Sequence, residues 1–246
     1  PYQVPRDDAL TERLDAVMVV VYLVFNEGYA ASFGARLVRH ELCEQAIRLG
    51  RMLVELLPAY TEPQGLLALM LLHDSRRETR LDDAGDIVLL DDQDRARWDR
   101  AQIEEGAALV EAALRAGARP PGRYALQAAI AAVHAQAPTA AATDWAQIAA
   151  LYGVLARVHP SPVVELNRAV AVAMSGDIER GLALVDEIDR RGEIVGYHLV
   201  PVARAELLRR LGRQVEAADS YRRALALVSN EAERRHLEKR LREIVS

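Results

Sequence analysis

The chain has 246 residues, 51% of them apolar and 27% charged, with a formal net charge of −5. This is the composition of a folded globular chain and excludes an intrinsically disordered one. Arg is interleaved with Asp and Glu along most segments, which speaks against a surface dedicated to a nucleic-acid backbone; that would need a basic excess on one face.

Ala, Leu and Arg dominate and Gly is sparse, so helix is favoured over strand. Cys43 is the only cysteine, which rules out an intramolecular disulfide. The opening "PYQVPRDD" reads as a linker over residues 1–6, and as the start of a piece cut from something longer. Asp7 or Asp8 then caps a helix whose stripe is Leu10, Leu14, Val17, Val21 and Val24. Its apolar run, Ala16 to Phe25, is about half the ~20 residues of a membrane span, so no membrane partner is expected. Gly28 is the expected stop. A second helix is expected over residues 35–57 and a third over 63–80. "RLDDAGDIVLLDDQD" breaks the helical pattern and suggests a small β-hairpin near 80–90. Asp91 or Asp92 is the expected cap of a helix over 93–116. Further helices are expected at 123–136 and 145–158.

From residue 161 the chain repeats itself. "SPVVELNRAVAVAMSGDIERGLALVDEI" and "YHLVPVARAELLRRLGRQVEAADSYRRALAL" are helix pairs hinged at Gly176 and Gly212. Gly212, Ala217, Tyr221 and Ala224 hold tetratricopeptide (TPR) offsets, and Gly176, Gly181, Val185 and Ile188 hold the same ones. A charged amphipathic helix from Glu231 to Val245 suits the end of such a stack. The expected fold is therefore all-α: a helical part over 7–120, continuing into a TPR-like helix-turn-helix solenoid with a capping helix over 121–246.

Chemical signatures are sparse. "HELCE" sets His40 and Cys43 on one helical face, but no further ligand lies nearby, so no metal is expected. No nucleophile elbow, phosphate loop or nucleophile–base pair occurs, so neither enzyme activity nor a cofactor is expected. The polar clusters carry more information. They are Asn26 and Glu27 at the end of the first apolar helix; His73, Arg76 and Arg77 in "LLHDSRR"; Asp94, Arg97 and Trp98 in "DDQDRARWDR"; Gln127 and His134 on one face; Asn167 and Arg168 in "LNRAVAV"; and His198. They either line an interaction groove or tie neighbouring helices together. In the groove reading, Asn167, Val170, Met174 and His198 would face a bound peptide.

Several long phrases, in order, carry a resemblance: "VYLVFNEGYAAS", "ELCEQAIRLGRMLVELLP", "GLLALMLLHDSRRETRLDDAGDIVLLDDQDRARWD", "YALQAAIAAVHA", "TDWAQIAALY" and the first repeat. Together they resemble the long C-terminal extension of bacterial extracytoplasmic-function (ECF) RNA polymerase sigma factors. The resemblance implies a cytoplasmic regulatory domain of a transcription initiation factor. Its implied partners are its own N-terminal sigma domains and core RNA polymerase. Promoter DNA would be bound only by those N-terminal domains, whose helix-turn-helix is not visible here. An unknown peptide or small-molecule signal is a further implied partner. The rival expectations are a free-standing TPR-like adaptor and a small-molecule-sensing helical domain.

Overall fold

A computed structural model describes residues 7–29, 39–116 and 120–245. Among the described residues the fold is an all-α solenoid of eleven α-helices without a sheet. They are α1 (Asp7–Tyr29), α2 (His40–Leu56), α3 (Thr61–Asp74), α4 (Arg100–Arg115), α5 (Arg123–Gln136), α6 (Trp145–Val158), α7 (Pro162–Met174), α8 (Ile178–Arg191), α9 (Leu199–Arg210), α10 (Gln214–Leu227) and α11 (Glu231–Val245). Each helix packs on its successor, and α3 also packs on α5. Among the described residues, no helix is long and apolar enough to cross a membrane. The expected linker 1–6 and residues 35–38 of the expected second helix lie outside the described residues.

Cores follow the chain. One, around Phe25, Leu66, Met70 and Tyr124, joins α1–α5. A second, around Leu126, Ile148 and Leu155, joins α5–α7. Two more hold the repeats together. The repeat offsets become packing: Val185, Ala217, Tyr221 and Ala224 are fully buried. Gly176 and Gly212 take φ of +118° and +74° at the two hinges. Asp144 and Asp177 cap α6 and α8, accepting from Gln147 N and Arg180 N.

Four local expectations need correction. Gly28 does not stop α1, which runs through Asn26, Glu27 and Gly28 to Tyr29. Gly28 is instead where α2 crosses closely: a Cβ there would lie 2.7 Å from Cys43 N and 2.9 Å from Arg39 O. The third helix ends at Asp74 rather than Arg80. Ser75 Oγ turns back to Leu72 O, and a 3-10 turn, Arg77–Thr79, follows. The helix expected from Gln93 splits. Asp94 caps a 3-10 turn, Arg95–Arg97; Trp98 is then pulled inward to donate to Thr79 Oγ1, and Asp99 caps α4. The hairpin reduces to one antiparallel bridge, Leu81 to Ile87, around a turn tied by Asp82 Oδ1. Its apolar residues pack toward helices instead of extending a ladder.

Replacing Gly28 with valine should lower stability by about 2–3 kcal/mol, because the obstacle is α2 backbone that cannot rotate away. A thermal melt checks this; an unshifted midpoint refutes the close crossing.

Candidate functional site

The repeat architecture builds an apolar-floored groove. α7 and α9 open the two helix pairs, so both present a face to the same side, and α11 continues that side. The segment Ile87–Asp91 forms the opposite wall. The groove between them has a volume of about 450 Å³. Its floor is apolar, with Val170, Met174, Val202 and Leu237, and its rim is charged, with Asp91, Arg210 and Glu233. Two distant parts of the chain hold the wall in place: Arg235 Nε of α11 lies 2.6 Å from Asp86 Oδ1, and its Nη2 donates to Gly85 O at 3.3 Å.

Asn167, Val170, Met174 and His198 all line this groove. Asn167 is exposed, so it is free to meet a ligand rather than buried within α7. His198 Nε2 approaches Glu233 Oε2 at 3.3 Å without hydrogen-bond geometry. Deeper in the groove, Glu206 accepts two hydrogen bonds of 3.1 Å from Arg240 and one from the Tyr221 hydroxyl. Burial raises the Glu206 pKa, but Arg240 and Tyr221 outweigh it and hold the group below the usual carboxylate range. Burial and the adjacent Glu206 push the Tyr221 phenol up. This triad locks α9, α10 and α11 together beneath the groove.

A second recess, of about 30 Å³, lies in the first half of the chain between α3, α5 and the 87–98 segment. It gathers His73, Arg76, Trp98 and His134. Arg76 Nη2 lies 3.2 Å from His73 Nδ1, and His134 stacks edge-on against Trp145 at 5.0 Å. Burial, then Arg76 and Arg80, push His73 well below its ordinary pKa. Burial, then Arg76 and Arg95, lower His134 to about 4. Both imidazoles are neutral at pH 7.

The other candidates stay apart. Arg77 bridges Asp74 and Glu44. Asp94 is a cap. Arg97 is exposed and donates to Glu78 O at 3.4 Å. Gln127 donates to Arg123 O within α5. Glu27 approaches Arg39 at 3.4 Å, and Asn26 bonds the Tyr22 side chain. Arg168 is half-buried on α7, outside the groove lining. Cys43 is buried with Sγ near Phe25 O, and burial raises its pKa to about 11, so it is a core thiol while His40 is exposed. Thus His73, Arg76 and His134 converge, but Arg97 and Asn167 do not join them.

Sequence reasoning missed Glu206, Arg240 and the Ile87–Asp91 wall as site elements. An available signal was the apolar "IVLL" inside an acidic turn, which marks a loop with something to cover.

Residues 13–114 match a family of unknown function, DUF6596. The chain is also similar to an uncharacterized protein of Rhizobium meliloti (strain 1021): 46% identical over 241 residues, covering 98% of this chain and 56% of the relative. The chain therefore spans about half the length of that relative. No solved structure matches.

Proposed function

We propose that this chain is the C-terminal regulatory domain of an ECF-type sigma factor and that it acts by docking on the sigma domains of the same polypeptide. The carrying observation is the outer face of α1. Met18, Val21 and Phe25 are buried against the core, yet Val20 and Leu23 on the other side are 59% and 60% exposed. A helix that is apolar all round is normally covered on both sides. The terminal unit of a solenoid normally turns a polar face outward, as α11 does. Met52 and Leu56 of α2 are also exposed, at 49% and 73%. The resemblance to sigma-factor extensions supports a covering domain joined ahead of α1, and the greater length of the relative is compatible with a further domain. Regulation follows if docking there competes with, or aligns, polymerase and promoter binding.

The test is association of this chain with the sigma domains of its parent, by cross-linking or pull-down. Val20→Glu and Leu23→Glu, on a solvent-facing surface, should leave the melting temperature unchanged. Each should weaken association about tenfold, as expected for losing one buried aliphatic contact. Full-strength binding by the double variant overturns the reading. The adaptor reading has its own observation, the apolar-floored groove. It predicts that Met174→Arg abolishes partner capture while the α1 variants do not. In cells, deleting residues 1–246 should change transcription from the parent's target promoter; unchanged transcription also overturns the regulatory role.

A further inference from the structure

The first half of the chain holds three arginines, one buried and two partly buried, without a carboxylate partner. Arg80 is partly buried; its guanidinium stacks 3.4 Å over the Tyr29 ring and donates to Tyr29 O. Arg76 bonds His73 and lies 5.8 Å from the same ring. Arg95 is only 7% exposed; it stacks at 4.6 Å on Trp98 and donates through Nη1 to His134 O and Ala137 O. Its Nη2 and His134 Nδ1 are buried without a hydrogen-bond partner. Among the described residues no carboxylate forms an ion pair with Arg76, Arg80 or Arg95. Asp74, a buried acid, is taken by Arg77 and Gln102. Asp91 acts on Arg95 from a distance.

The rest of the chain does not supply the missing charge. Residues 1–6, 30–38, 117–119 and 246 contain no Asp or Glu. Asp7 and Asp8 begin α1, about 30 Å from its Tyr29 end at 1.5 Å per residue. Buried charge without a partner is strongly unfavourable, and neutral carbonyl and aromatic contacts offset it only in part.

We propose that the recess lined by His73, Arg76, Trp98 and His134 binds a small monovalent anion of halide size. Arg76 supplies the charge, and His134, carrying its proton on Nδ1, is the second donor. The recess, of about 30 Å³, is small and holds one guanidinium, which favours a compact anion of single charge such as a halide. Leu72 and Leu90 give the recess apolar walls. The recess adjoins the C-terminal end of α1 through Tyr29 and shares Leu90 with the groove wall, but anion binding there does not depend on the proposed regulatory role.

The experiment compares melts of the 246-residue chain in sodium chloride, sodium bromide and sodium gluconate at equal ionic strength. Above saturation, each tenfold rise in chloride should raise the melting temperature by about 3–5 °C, with no rise in gluconate. Arg76→Gln should abolish the difference. Should that variant not fold, crystals of the unaltered chain grown in bromide decide the matter. An anomalous peak within hydrogen-bond distance of Arg76 and His134 supports the site. Equal melts in chloride and gluconate, or bromide peaks only elsewhere, overturn it.

Discussion

Gly65→Val is expected to cost about 3–5 kcal/mol, enough to lower the melting temperature by roughly 10 °C. α3 crosses α5 at this residue. A Cβ on Gly65 would sit 2.4 Å from Ala125 N and 2.9 Å from Tyr124 C, both backbone atoms. No rotamer relieves such an overlap, so the helices must part. Parting them also breaks a cap. Glu62, one turn earlier on α3, accepts from Tyr124 N at 3.0 Å and Ala125 N at 3.2 Å, closing the start of α5. Burial raises the Glu62 pKa despite those two bonds, so the carboxylate already carries a desolvation cost that only close packing justifies. The matched control is Gly153→Ala. Gly153 lies in α6, and a methyl group added there would meet nothing within 4 Å, so alanine should stabilise by about 0.5–1 kcal/mol through helix propensity. Denaturant melts of the two variants should move in opposite directions. A Gly65 variant as stable as the parent would mean that α3 and α5 do not cross here.

Mild acid should destabilise the fold through its neutral buried histidines. His134 titrates near 4 when folded and near 6.5 when unfolded. Between those values the unfolded chain binds more protons, so stability rises with pH in that window. It is fully retained above about pH 6.5 and falls as the pH drops toward 4, by about 3 kcal/mol from His134 alone. His73 and His236 are shifted in the same direction, with burial as the largest cause for each. The measurement is denaturant unfolding between pH 7 and pH 4.5 in chloride-free buffer, for the parent chain and His134→Phe. The variant keeps an aromatic ring beside Trp145 and loses the titration, so its stability should fall less steeply. Parallel curves would place the His134 imidazole in water.

Much of this fold was legible in the residues. α5, α6 and α11 carry clear apolar periodicity between loop-forming flanks. The repeat glycines announced themselves through their 36-residue spacing. Asn167, Val170, Met174 and His198 could be placed together because they share the exposed side of the first helices of the two repeats. Breaks inside polar stretches were harder. Asp91, Asp92, Asp94 and Asp99 are all chemically able to cap a helix. Asp99 caps α4 because burial of Trp98 forces the chain to extend just before it. Gly28 reads as a helix stop by local propensity, and becomes a crossing point only because α2 lies against it.

Sequence alone determined the helical class, the repeat boundaries and the polar clusters, because periodicity and cap chemistry act within a few residues. Only the tertiary structure decided which clusters meet. It brought His73, Arg76 and His134 into one recess and left Arg97 outside. It placed the Ile87–Asp91 wall across the groove from α7, and gave α5 a cap from Glu62, 62 residues before Tyr124. These pairings join residues distant in the chain, through helix packing and through the need of buried polar groups for partners wherever the fold supplies them.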